Sequence, residues 1–92
     1  MMELKTTGKF RRDYKRCKKR GLDMELLEAV IDKLLAGEKL PPKNQDHPLV
    51  GNYIGFRECH ILSDWLLIYT ISDDALILTA SRTGTHSDVF DE

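Results

Sequence analysis

Cationic side chains are almost missing from the second half of this chain. Residues 44–92 contain Arg57, Arg82 and no lysine, against eight acids; residues 1–20 contain nine lysines and arginines, against Glu3 and Asp13. The formal net charge of −1 therefore conceals a basic N-terminal block. Such a block can face a polyanion while the total stays near neutral; taken alone it reads as a solvated helix face. Long apolar runs are missing too. No stretch approaches the roughly 20 residues of a membrane span, and no uninterrupted apolar segment follows the N-terminal charges as in a signal peptide. The expectation is a cytoplasmic protein without membrane contact. Cysteine is limited to Cys17 and Cys59, far apart in the chain, which suits two buried thiols in a reducing compartment better than a disulfide framework. There is no glycine-rich phosphate loop and no serine at a nucleophile elbow. What remains is 41% hydrophobic and 32% charged, the balance of a soluble globular protein, and its 92 residues suit one domain over 1–92.

The order of elements follows from caps and periodicity. Met2–Thr6 is a short strand candidate. Thr7 is placed to cap a helix running to about Arg20 and stopped by Gly21, with Phe10, Tyr14 and Cys17 as a narrow apolar stripe. Asp23 is the N-cap of a second helix to about Ala36, ended by Gly37. Leu27, Val30, Ile31 and Leu34 share its apolar face. The short link makes the two helices an antiparallel hairpin. Residues 37–52 read as a loop, punctuated by Gly, Pro and Asn, with His47 in its middle. Three strands follow, about Tyr53–Leu62, Trp65–Ile71 and Ala75–Arg82, joined by the tight turns Ser63-Asp64 and Ser72-Asp73-Asp74. The second is apolar on both faces and belongs at the sheet centre. The expectation is an α+β domain of order β-α-α-β-β-β, with the helical hairpin on one face of a twisted antiparallel sheet.

This topology brings chemistry-bearing residues together. The central strand is antiparallel to both neighbours, so the first and third run parallel and end at one sheet edge, roughly 10 Å apart. His60, Asp64, Arg82 and His86 converge there, and the loop carrying His47 need only lean over them. Singly, each has a plainer role: a structural histidine, a turn aspartate, an arginine paired with Asp88 or Asp91, a solvated tail. The competing sharp reading is zinc held by His47, His60, His86 and Asp64. No spacing here matches a recognised metal pattern, so no metal and no cofactor is expected.

Four blocks carry a family resemblance: Asp46-His47-Pro48-Leu49, Gly55-Phe56-Arg57-Glu58-Cys59-His60, Asp64-Trp65-Leu66-Leu67-Ile68-Tyr69, and Arg82-Thr83-Gly84-Thr85-His86 with Phe90. In this order, with the basic first helix, the chain resembles the YafQ-type toxins of the RelE/ParE superfamily. The resemblance implies the toxin of a type II toxin–antitoxin pair, a ribosome-dependent endoribonuclease that cuts translated mRNA. Its implied catalytic groups are His47, His60, Asp64, Arg82 and His86, with Phe90 as the aromatic that holds a base. A monomeric free toxin is expected, with an acidic, partly disordered antitoxin, the ribosome and mRNA as partners. The acids Asp88, Asp91 and Glu92 depart from the pattern. The alternatives are a non-catalytic superfamily member that inhibits an enzyme such as gyrase, or a general RNA-binding protein; the intact histidine set argues against the former.

The chemistry agrees with the residues. RNA supplies its own nucleophile, the 2′-OH, and imidazoles titrate near working pH. His86 is expected as general acid and His47 or Asp64 as base, with His60 in the proton network. Arg82 is expected to hold the phosphate by a bidentate contact and Phe90 to stack on a base. Lys15, Arg16, Lys18 and Lys19 would meet ribosomal RNA through its phosphates.

Overall fold

Two capped helices lead the chain onto its sheet. The computed structural model describes residues 2–72 and 74–90. Strand β1 (Glu3–Thr6) runs into helix α1 (Gly8–Lys19), where the Thr7 hydroxyl accepts the Phe10 N–H at 2.9 Å. Helix α2 (Met24–Leu35) starts at Asp23, whose carboxylate accepts the Glu25 N–H at 3.1 Å. Both caps satisfy amide donors that have no partner inside the helix. The predicted apolar faces are the buried ones: Phe10 and Cys17 on α1, and Leu27, Val30, Ile31 and Leu34 on α2. They pack against Cys59, Trp65, Leu67, Tyr69, Leu78 and Ala80 of the sheet.

The sheet has five strands in the order β1-β5-β4-β3-β2, with β2 at His47–Pro48, β3 at Arg57–Leu62, β4 at Trp65–Ser72 and β5 at Ile77–Gly84. As expected, β4 is central and buried on both faces: Trp65, Leu67 and Tyr69 face the helices, and Leu66 and Ile68 lie on the other side.

Three features differ from expectation. The sheet is mixed, because β1 pairs parallel to β5. A parallel neighbour is reached by a long crossover, so no turn in the sequence announces it. The 37–52 loop contains a two-residue strand, β2, which pairs with β3. The C-terminal segment turns into a short helix, α3 (His86–Phe90). Strand limits also shift, with β3 starting at Arg57 and β5 running from Ile77 to Gly84. Asp73, in the predicted turn, lies outside the described residues.

One irregularity positions a functional side chain. Ile68 pairs with Arg82, but the next residue, Tyr69, pairs with Ala80. Ser81 is therefore an extra residue in β5, and the bulge turns Arg82 to the face of Ile68, away from the helix-packed face. The Thr7 hydroxyl donates to the Ser81 carbonyl at 2.7 Å, so the cap of α1 also holds the bulge. The consequence is a cross-strand row, His47–Glu58–Ile68–Arg82, across β2, β3, β4 and β5. Directly opposed residues in such a row share one face.

Candidate active site

The loop before His47 is held from both sides. Asn44 is buried and donates to the His60 carbonyl at 2.7 Å. Asp46 accepts from the Tyr69 hydroxyl at 2.5 Å and from Arg57 Nε at 3.3 Å. Burial, and then the Asp46 carboxylate, raise the pKa of Tyr69, so its hydroxyl keeps its proton and stays a donor. These contacts deliver His47 to β2 opposite Glu58.

Glu58 is the centre of the cluster, and no role was assigned to it from sequence. It is only 5% exposed. Its Oε2 lies 2.8 Å from His47 Nε2, while its Oε1 is buried, has no hydrogen-bond partner among the described residues and lies 4.0 Å from His86 Nε2. His47 Nδ1 is 3.0 Å from the Pro48 carbonyl, which can only accept, so Nδ1 carries a proton. His47 Nε2 and Glu58 Oε2 are thus in direct polar contact across β2 and β3. Glu58 sits two residues before His60 on the same strand face; that alternation was the signal available for finding it.

His86 is held from behind. Its Nδ1 is 2.9 Å from Asp64 Oδ1, and its backbone N–H points to the same oxygen at 3.4 Å. The His86 hydrogen bonds lower the pKa of Asp64, so Asp64 stays an ionised acceptor. With Nδ1–H directed at Asp64, Nε2 is the nitrogen turned toward Glu58. His60 closes the group, its ring 6.0 Å from that of His86. His47, His60, Asp64 and His86 thus converge as expected. Asp64 and His47 Nδ1 already have hydrogen-bond partners, whereas Glu58 Oε1 has none among the described residues.

Arg82 lies one strand beyond, on the same face. Its Nε and Nη2 bond to Asp13 at 2.6 and 3.3 Å, Nη2 also bonds to the Asp88 carbonyl at 3.0 Å, and Nη1 to the Val89 carbonyl at 3.3 Å. Four of the five guanidinium donors are committed. The expected bidentate phosphate contact does not fit this arrangement; one Nη1 hydrogen and the cationic charge are left for a substrate. The arginine pairs with Asp13 in α1, and it reaches Asp88 only through its backbone. Phe90 follows on α3, its ring 6.1 Å from His86 and 5.0 Å from Tyr53.

Of the basic set, Lys15, Lys18 and Lys19 are exposed, while Arg16 bonds to Asp13 at 2.7 Å. Asp88 is bound by Arg20 at 2.6 Å, so this tail acid is neutralised. Asp91 and Glu92 lie outside the described residues. Glu58, His60 and His86 each offer a ligand atom within 4.8 Å of one another, the right residue types for a transition-metal ion. This set differs from the zinc alternative read in the sequence: it uses Glu58 in place of His47 and Asp64.

Residues 2–91 match the sequence family described as the bacterial toxin of type II toxin–antitoxin system, YafQ. The chain belongs to the YafQ toxin family. It is 36% identical over 89 residues to the mRNA interferase toxin YafQ of Escherichia coli, covering 96% of this chain and 95% of that one. Among solved structures it is similar to a metal-bound toxin from Helicobacter pylori, at 41% identity and a TM-score of 0.92, over 98% of this chain and 100% of that one. It is also similar to YafQ in the Escherichia coli DinJ–YafQ complex, at 35% identity and a TM-score of 0.89, over 98% and 99% of the two chains. The RelE/ParE-like fold expected of a YafQ toxin is therefore present over nearly the whole chain.

Proposed function

We propose that this chain is a messenger-RNA interferase that cuts translated mRNA by proton transfer between Glu58 and His86. The observation that carries the reading is one juxtaposition: a buried Glu58 oxygen without a hydrogen-bond partner among the described residues, 4.0 Å from an imidazole whose other nitrogen is held by Asp64. Glu58 Oε1 takes the proton of the 2′-OH, backed by His47 on Oε2. The 2′-oxygen forms its bond to phosphorus as the bond from phosphorus to the 5′-oxygen breaks. His86 Nε2 gives its proton to that leaving oxygen. The products are a 2′,3′-cyclic phosphate and a 5′-hydroxyl. Asp64 accepts from His86 Nδ1 and so keeps Nε2 turned toward the reacting atoms. Arg82 offsets the developing charge through its remaining N–H, and Phe90 holds a base by stacking.

The basic face of α1 suits ribosomal RNA, and the site of action is the cytoplasm, where mRNA is translated. The partner by the same reading is an antitoxin, as DinJ is for the Escherichia coli relative, with an acidic segment that folds on binding. The test is a translation extract supplied with the purified protein and mapping of mRNA ends. His86→Ala lowers single-turnover cleavage about 10²–10⁴-fold with the fold intact; full activity in that variant sinks the assignment.

A second reading comes from the metal-bound relative and the Glu58, His60 and His86 arrangement. A divalent ion there would occupy both proton-transfer atoms and so inhibit. Zinc added to chelator-treated protein should then lower cleavage. Activation by zinc would replace the proton-transfer mechanism with a metal one.

A further inference from the structure

We propose that the hollow beside the histidine cluster is a nucleobase subsite, which takes the base of a nucleotide flanking the scissile phosphate. The proposal rests on the mRNA-cleavage reading and adds the path of the strand as it leaves the cluster.

The hollow measures about 280 Å³ and is lined by Lys9, Asn52, Tyr53, Phe56, Ile68 and Arg82. Thr7 and Ser81, the cap of α1 and the β5 bulge, complete its wall. Ile68 and Arg82 stand in the same cross-strand row as Glu58. The hollow therefore begins one strand from the proton-transfer atoms, on the same sheet face.

A run of rings joins the two places. His60 lies 6.0 Å from His86, His86 lies 6.1 Å from Phe90, Phe90 lies 5.0 Å from Tyr53, and Tyr53 lies 6.4 Å from Phe56. The rings meet edge-on or tilted rather than as one stacked column, so each exposed face is a separate platform on which an unpaired base can stack. Tyr53 and Phe56 are only half-buried, so part of each ring is open to a ligand.

The charge selects the ligand class. The lining has an exposed cation, Lys9, and no carboxylate, while Arg82, paired with Asp13, keeps one Nη1 hydrogen for a ligand. The first turn of α1, which starts here, contains no acid, and its partial positive charge adds to that of Lys9. An anionic backbone carrying a flat base fits this combination; an acidic peptide would also meet Lys9 but brings no base edge for Asn52 to read, and nucleotide titration separates the two. Asn52 is exposed on the rim; its amide offers two donors and an acceptor, enough to distinguish base edges.

The test uses the intact protein in a translation extract with an mRNA randomised around a cut site, and maps all ends. Wild type, Asn52→Leu, Phe56→Leu and His86→Ala are compared. Base preference at one flanking position should fall about fivefold or more in Asn52→Leu. Overall cleavage should fall about tenfold in Phe56→Leu, which loses its stacking surface. In parallel, AMP, GMP, CMP and UMP are titrated into the wild-type protein and followed by NMR, which should move the Asn52 side-chain amide and the Tyr53 and Phe56 rings. An unchanged base profile in Asn52→Leu, or nucleotides that perturb no hollow residue, overturns the subsite and leaves the nuclease reading standing. Absence of cleavage by wild type, or undiminished cleavage by His86→Ala, overturns the nuclease reading itself.

Discussion

Arg82 and Asp13, 69 residues apart in the chain, are bound to each other through both carboxylate oxygens. Asp13 is 2% exposed and also accepts from the Thr83 N–H at 3.2 Å and from Arg16. Arg82 passes the constraint on to the carbonyls of Asp88 and Val89 in α3, the helix that carries His86 and Phe90. A buried acid on the basic helix thus sets the position of groups at the other end of the chain. Asp13→Ala leaves four N–H donors of Arg16, Arg82 and Thr83 without their acceptor and should cost about 3 kcal/mol, a fall in Tm of about 12–24 °C at this chain length. Arg82→Lys should resemble it, since one ammonium cannot span a carboxylate and two carbonyls. A melting temperature for Asp13→Ala within 2–3 °C of wild type would show that the network does not hold α3.

Glu58→Gln separates activity from stability. The amide keeps the shape of the side chain and removes a buried carboxylate with an unsatisfied oxygen. Cleavage should drop about 10²–10⁴-fold, while stability stays level or rises. Paired denaturation and single-turnover assays decide it; near-normal cleavage would return the base to His47 or Asp64.

The Arg20–Asp88 pair should make stability acid-sensitive. The guanidinium holds the Asp88 carboxyl well below the usual carboxylate range, with Thr85 N–H and hydroxyl contacts adding to it. A depressed folded-state pKa stabilises above the unfolded value, about 3.9 for Asp, and that stabilisation is lost as pH falls toward the folded value. Asp88→Asn should therefore be less stable than wild type at pH 7, with the gap shrinking below about pH 4. Melting curves across pH 2.5–7 would show it, and a gap that does not change with pH would refute it.

Cys17 and Cys59 are both free thiols with no exposed surface. Burial pushes the Cys59 thiol up to about 12 and raises Cys17 as well. Neither should react with an alkylating agent at pH 8 until the protein is unfolded. Rapid labelling of the native protein would indicate an opening that these contacts do not contain.

Lys15, Lys18 and Lys19 should set the salt dependence of ribosome binding. Changing all three to Gln, and leaving Arg16 on Asp13, should weaken association and flatten its dependence on salt, because fewer counterions are released. An unchanged slope in a pelleting assay would reduce this face to solvation.

Gly84 shows where local reading stops. It has φ +144°, and a Cβ there would lie 2.9 Å from the Asp88 side chain, so glycine lets the chain leave β5 and turn at once into α3. From the sequence this glycine is one letter in Arg82-Thr83-Gly84-Thr85-His86, and the short helix after it has too few residues for a periodic signal. The same holds for β2, whose two residues gain strand geometry only from β3.

By itself the sequence determined what depends on neighbours along the chain. The Thr7 and Asp23 caps, the apolar faces of α1 and α2, the doubly buried β4 and the tight turn at Ser63-Asp64 are all local, and they place the ends of β3 and β5 at one edge. That was enough to gather His60, Asp64 and His86. Tertiary structure decided what depends on partners across the fold. The Ser81 bulge chose the face of Arg82, Asp13 took up its fork, and Asp64 became the support of His86. The burial of Glu58 between His47 and His86 left one carboxylate oxygen without a partner among the described residues. A side chain's proton and its free lone pair are set by what surrounds it, and those surroundings come from residues distant in sequence.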